Sequence, residues 1–165
     1  MNHIRRIVVL MLFFASLAPA FADTIAVAVR HHSEAERAPA LANLVEEGAM
    51  EYLFANGNII FDLEIDPTDE VFDYRAIDAA ERGGAAYVIV LELAFTTVGE
   101  RGLYPAEIEV RLLEIDGESE RVRATVFADD LQGETDLTSE TMADRLGARA
   151  SAIALEEIAG GTAAW

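Results

Sequence analysis

The spacing of apolar residues changes several times along this chain, and each change marks an element. Ile7 to Leu17 is an unbroken apolar run behind a basic start that holds Arg5 and Arg6; Pro19 breaks the run and Ala20-Phe21-Ala22 follows. A short basic segment, an apolar core and a small-x-small ending make a secretory signal peptide. The run is too short for a spanning helix. Residues 1–22 are therefore expected to leave, with cleavage between Ala22 and Asp23. Residues 23–159 are expected to fold as a single domain. Residues 160–165 form a flexible tail, apart from any docking of Trp165.

The mature chain opens on Thr24 to Val29, apolar on both faces and thus a central parallel strand. Ser33 with Glu36 has the spacing of a capping box and predicts a helix from there to about Ala55, with Pro39 in its first turn or at a kink. Leu41, Leu44, Val45, Gly48, Ala49, Tyr52 and Leu53 make its inner face; Glu46, Glu47 and Glu51 are expected outward. Asn56-Gly57 stops it. Asn58 to Asp66 alternates, with Phe61, Leu63 and Ile65 opposite Asp62, Glu64 and Asp66, and predicts a strand with one wet face that ends at Pro67. A short helix over Val71–Arg82 carries Tyr74, Ile77 and Ala80 as its stripe and ends at Gly83-Gly84.

Ala85 to Val98 holds the strongest strand pattern, buried at Ala86 to Leu91 and mixed from Glu92 onward. Gly99 to Pro105 reads as a loop. Ala106 to Ile115 alternates, with Ile108, Val110 and Leu112 inward and Glu107, Glu109 and Arg111 outward, until Leu112-Leu113 interrupts it as a bulge would. Asp116-Gly117 is a hairpin turn. Arg121 to Asp129 returns with Val122, Ala124 and Val126 on one face. Leu137 to Ala159 is a long helix with Met142, Leu146, Ala150, Ile153 and Ile158 buried, stopped by Gly160. The order β-α-β-α-β-β-β-α predicts an α+β domain: a mixed five-stranded sheet, parallel where helices connect the strands and antiparallel where short loops do, with helices packed on it.

Composition narrows the setting. The chain has no lysine and no cysteine; without Arg5 and Arg6, ten arginines face thirty acidic residues, a net charge of −20. Such a field disfavours nucleic acid and anionic membrane surfaces as partners. The absence of cysteine leaves stability to the core rather than to disulfides and removes any lipid-bearing cysteine. No second apolar run approaches ~20 residues, so no membrane span is expected in the mature chain. The product is expected to be soluble and periplasmic, with secretion beyond the cell as the other outcome.

Three passages carry a resemblance. Ile25-Ala-Val-Ala-Val29 opens the fold, Met50 to Phe61 runs from long helix through a small turn to a short strand, and Ala79 to Val90 runs from helix through glycine into Ala-Tyr-Val-Ile-Val. With the element order, these resemble the anticodon-binding-domain-like fold of bacterial envelope proteins. That group includes the N-terminal domain of the Tol-Pal propeller protein, the lipoprotein activators of peptidoglycan synthases and the curli secretion channel lipoprotein. The chain departs from it at Glu64-Ile-Asp-Pro67, where Asp-Arg is frequent, and in having neither lipid-bearing cysteine nor propeller. The resemblance implies a non-enzymatic interaction or assembly module with an envelope protein as partner, and no cofactor.

Several side chains could carry chemistry. His31 and His32, with Glu34 and Glu36, stand where the first parallel strand ends, the place where ligands gather in open α/β sheets. His31, His32 and Glu34 are the candidate metal ligands, and this end of the sheet is the candidate site for a small ligand; an exposed loop is the simpler account of them. Asp62, Glu64, Asp66, Asp69 and Glu70 form an acidic cluster, but Pro67 stands where a calcium loop requires glycine, and alternation alone explains the first three. Glu92 is either a buried carboxyl or the point where its strand leaves the core. A carboxylate-dependent hydrolase is the third functional reading, with no nucleophile motif to support it. Arg121, Arg123 and Phe127 share a face of the fifth strand; aromatics beside arginine favour protein contacts, unless Phe127 packs under the last helix. If the leader is removed as its pattern predicts, N-terminal sequencing of the exported protein will read Asp23-Thr24-Ile25; an intact Met1 would contradict it.

Overall fold

In the computed structural model, which describes residues 23–98, 102–117, 119–131 and 137–161, the expected element order is present. It runs β1 (Thr24–His31), α1 (Ala38–Ala55), β2 (Ile59–Asp62), α2 (Phe72–Gly83), β3 (Tyr87–Val98), β4 (Gly102–Glu114), β5 (Ser119–Phe127), a 3-10 turn (Ala128–Leu131) and α3 (Ser139–Gly161). The sheet order is β2-β1-β3-β4-β5. β1 lies parallel between β2 and β3, and the remaining pairs are antiparallel. The signal-peptide reading of residues 1–22 and the docking of Trp165 lie outside the described residues.

Strand alternation divides the core in two. Ile25, Val27, Ile89, Leu91, Ile108, Val110 and Leu112 point to one face, where α1 and α3 cover them. Ala26, Ala28, Val88 and Val90 point to the other, beneath Phe72, Ala76 and Ala80 of α2. Two long helices thus share the first face, and a single short helix covers only part of the second. The close fit of α1 to α3 depends on two glycines. A Cβ at Gly48 would stand 2.0 Å from the Asp144 carbonyl oxygen, and one at Gly147 would stand 1.9 Å from that of Val45. Each helix therefore lays its backbone directly against the other.

Several elements depart from their expected bounds for identifiable reasons. The capping box does not form: the Ser33 hydroxyl accepts from the Ala35 amide at 3.3 Å, and α1 starts only at Ala38 with Arg37 as an N-cap whose side chain does not cap the helix and pairs with Glu140 instead. A start at Ser33 would place Pro39 in the helix interior, where its ring meets the preceding turn's carbonyl; a start at Ala38 puts it in the tolerant first turn. β2 is shorter than expected and ends at Asp62, although the alternation persists to Asp66 without further ladder pairing. The α2 stripe is Phe72, Ala76 and Ala80, while Tyr74 is 72% exposed. An i, i+4, i+8 row begun by Phe72 faces the sheet and turns Tyr74 away.

β4 begins at Gly102, so Pro105 lies in a strand rather than a loop. Pro105 faces Phe95 at a register shift between Ala94 and Phe95. A bulge of this kind accommodates a residue that has no amide to donate. The expected bulge at Leu112-Leu113 is present. β5 ends at Phe127, and Ala128–Leu131 winds into the 3-10 turn, where the Asp130 carboxylate accepts from the Phe127 amide at 2.9 Å. α3 starts at Ser139 and continues through Gly160 to Gly161. Ala143 and Ala154 join its buried face.

The largest correction concerns Arg111. It lies on the face expected to be wet but is only 7% exposed, because α2 covers it. Its guanidinium donates two bonds to the Asp73 carboxylate, at 2.7 and 2.6 Å. A fork-to-fork pair of this kind is strong and directional. It fixes the N-terminal end of α2 over β4 and, through the Arg111 bonds, holds the Asp73 carboxyl below its ordinary pKa.

Replacing Gly48 or Gly147 by alanine will force α1 and α3 apart. The expected loss is at least about 2 kcal/mol of unfolding free energy by urea titration, although alanine's helix preference acts in the opposite direction by about 1 kcal/mol. Gly160→Ala, with open space around its Cβ, is expected to be neutral or mildly stabilising. Equal effects at all three positions would contradict the close approach.

Candidate functional site

Consecutive strand residues point to opposite faces, and this separates the two histidines. His31 lies on the α1 side and is 6% exposed. Its ring meets Phe95 edge-on at 5.9 Å and 86°, and its Nδ1 is buried with no hydrogen-bond partner. Burial, and then the charge of neighbouring His32, lowers its pKa against an opposing contribution from the Ser33 backbone. The balance favours the uncharged ring. His32 is exposed on the other side, with Nε2 3.5 Å from the Glu92 carboxylate. Glu34 is exposed in the connection to α1. The three candidate ligands are thus not brought together, and among the described residues no three His, Cys, Asp or Glu side chains are placed to hold a metal ion. Glu92 is half-buried and paired with His32 rather than sealed in the core.

Beside His31 a groove of about 690 Å³ runs between α1 and the segment that follows β2. Its apolar surface includes Val29, Ala42, Met50 and Leu63. Five carboxylates line it: Glu46 and Glu47 from α1, and Asp62, Glu64 and Asp66 from the opposite wall. Glu46 was expected to face outward but is half-buried. Its carboxyl is pushed up to about 7, first by burial and then by the charges of Asp62 and Glu47. The sequence does carry a signal for this: Ala42, Glu46 and Met50 form one i, i+4, i+8 row at the margin of the buried stripe. Asp66, on the outer rim, is held below its ordinary range by bonds from the Thr68 amide (2.9 Å) and hydroxyl (2.7 Å). The acidic cluster is therefore divided, part lining the groove and part building the turn into α2, where Asp69 accepts from the Val71 amide at 3.0 Å and pairs with Arg75 at 2.6 Å.

The second region is the uncovered half of the other face. Arg123 and Phe127 lie there, exposed, on the edge strand β5; Arg121 was expected on the same face, but the bulge opposite Leu112-Leu113 turns it to the α3 side, near Tyr87 and Glu157. α3 covers the opposite face, so Phe127 does not pack beneath it and remains 48% exposed. Arg121 donates to Glu114 at 2.6 Å. Arg123 donates to Glu120 at 2.9 Å and pairs with Glu109 at 3.1 Å. This face therefore combines an aromatic ring with charges that neutralise one another locally, on a chain that is otherwise strongly acidic.

No protein-family model matches the chain, and no curated protein matches it. Solved structures do. A PelC dodecamer from Paraburkholderia phytofirmans matches at 17% identity with a TM-score of 0.55, covering 82% of this chain and 88% of that one. The hypothetical protein CT253 from Chlamydia trachomatis matches at 14% identity and a TM-score of 0.55, covering 84% of this chain and 99% of that one. TolB from Acinetobacter baumannii and the LpoB C-terminal domain from Salmonella enterica also match, both at 12% identity, with TM-scores of 0.40 and 0.39. At these identities the likeness to PelC and CT253 is one of fold.

The raised pKa of Glu46 has a direct consequence for stability. Between 4.5 and about 7 the folded chain keeps a proton that the unfolded chain releases. This carboxyl therefore penalises folding progressively as pH rises through that window, and fully above it. Glu46→Gln is expected to stabilise the protein at pH 8 by on the order of 1 kcal/mol, after discounting for solvent screening of a half-exposed group. Most of the gain will disappear at pH 5. Urea unfolding at the two pH values checks this; an equal effect at both would contradict it.

Proposed function

We propose that this chain is an exported, periplasmic, non-enzymatic interaction module of the bacterial envelope, and that its contact surface is the uncovered face and free edge of β3–β4–β5. The observation that carries the proposal is the placement of Phe127. A large aromatic side chain lies exposed at the end of a strand that is an unpaired edge among the described residues, on the same face as Arg123 and on the part of it that α2 leaves uncovered. Aromatic and arginine side chains favour protein interfaces, and a free strand edge offers backbone groups for pairing with another chain.

The signal-peptide pattern of residues 1–22 supports export. The envelope resemblance of the three sequence passages supports the setting, and the likeness to PelC and CT253 supports the fold. The neighbour from Paraburkholderia phytofirmans is a dodecamer, so a second copy of the chain is one partner to consider beside a different envelope protein. Cofactors play no part in this reading. A small-ligand function is the second reading, favoured by the groove beside His31. A hydrolase would have to use Glu46 with Asp62, and Asp62 is exposed at the end of the edge strand β2.

Photocrosslinking in living cells tests the contact surface. A photoreactive phenylalanine analogue at position 127 is expected to give a discrete adduct that Arg123→Glu abolishes. The same analogue at position 74, more exposed than Phe127 but on the outer side of α2, is expected to give none. No adduct at position 127, or the same adducts at both positions, would overturn the proposal.

A further inference from the structure

The groove beside His31 lies on the opposite face and towards the opposite edge of the sheet from Phe127, so it is not part of the contact surface proposed above. Its chemistry is distinctive. Five carboxylates surround a floor of aliphatic side chains, and no basic side chain is among its lining residues. Burial, and then the charges of Asp62 and Glu47, push the Glu46 carboxyl up to about 7. They do not converge on a point: among the described residues no three acidic or histidine side chains stand close enough to hold a metal ion. Charge distributed along an elongated, partly apolar groove suits an elongated cation better than a compact one. Its volume of about 690 Å³ lies within the usual range for small-molecule sites.

His31 supplies the independent observation. A histidine only 6% exposed lines the groove, and its Nδ1 has no hydrogen-bond partner among the described residues. Buried polar atoms without a partner are costly and uncommon in folded proteins. An uncharged imidazole can accept a hydrogen bond from an ammonium group, whereas a protonated one would repel it.

We infer that this groove binds a linear organic polycation, with ammonium groups on an aliphatic stem, its charges against Glu46, Glu47 and Asp62 and its stem over Val29, Ala42 and Met50. An ammonium group bound beside Glu46 favours its charged form and offsets the Asp62 and Glu47 charges that add to the effect of burial, so the ligand displaces a proton. The charges that act on Glu46 are those of Asp62 from β2 and Glu47 from α1; His31 from β1, and Glu64 and Asp66 from the segment after β2, are the other titratable groups that line the groove. The same chemistry is offered by a free polyamine or by a lysine-rich stretch of polypeptide.

Isothermal titration calorimetry of the purified protein at pH 7 separates these sources, using spermidine, a tetralysine peptide and calcium chloride as probes. Physiological ionic strength suppresses diffuse attraction, because screening there acts within about 8 Å. Saturable one-to-one binding of spermidine or tetralysine is expected, with release of protons measured in two buffers of different ionisation heat. Tighter spermidine binding assigns a free polyamine; tighter tetralysine binding assigns a basic polypeptide segment. The double variant Glu46→Gln, Asp62→Asn is expected to weaken binding at least about tenfold and to abolish the proton release, while Glu81→Gln, on the exposed surface of α2, leaves both unchanged. The ring resonances of His31, and not those of His32, are expected to shift on binding. Equal weakening by Glu81→Gln, tighter binding of calcium than of either polycation, or an unmoved His31 would overturn the inference. The variants at the groove do not touch the β5 face, so failure here leaves the photocrosslinking result intact, and the reverse holds as well.

Discussion

The close contact between α1 and α3 determines how this domain is covered. Five strands at ~4.8 Å spacing present a face of roughly 19 Å between the outer strands, and helices ordinarily pack about 8–10 Å apart. Gly48 and Gly147 allow the two backbones to meet without intervening side chains. Both helices then settle on one face and seal Ile25, Val27, Ile89, Leu91, Val110 and Leu112. Wider spacing at this seam would leave the central strands short of cover, or push α3 towards the solvent side of β5.

The unequal covering of the two faces follows from that arrangement. With both long helices on one side, the other side has only α2, whose twelve residues span about 18 Å. α2 is held by Phe72 in the apolar layer and by the Arg111–Asp73 fork. Arg30 rests over the Phe72 ring at 5.6 Å and extends the cover slightly. Past Arg111 the face opens, and paired charges replace apolar contacts. The two candidate surfaces differ for this reason. The β5 face has balanced charges and an exposed ring, whereas the groove beside His31 is bounded by an edge strand only four residues long and collects acidic side chains from both walls.

The fold was legible because its strands carry clean periodicity. Tyr87 to Leu91 could be read as central from apolar continuity alone, and Asp116-Gly117 marked the hairpin. Positions where a helix covers a polar strand residue were not legible. Arg111 alternates as an outward residue should, and nothing local reveals that α2 folds back over it. Glu46 was misread for a related reason: a charge on the shoulder of an amphipathic helix is wet or half-buried according to what passes beside it, here the segment after β2. Ser33 and Glu36 have the spacing of a capping box, but Pro39 placed the helix start further along. The two histidines were legible as a pair in sequence; strand geometry separated them. Phe127 could not be assigned to either environment until the side taken by α3 was known.

The account rests on a sheet with one sealed face and one face left open for a partner. Hydroxyl-radical footprinting, carried out on the purified protein and again on intact cells, tests this most directly. The account predicts that Phe127 is oxidised readily in the dilute purified protein and protected in cells, while Tyr74 is oxidised in both and Phe72 in neither. Equal oxidation of Phe127 in the two settings, or its protection in the isolated chain, would contradict it.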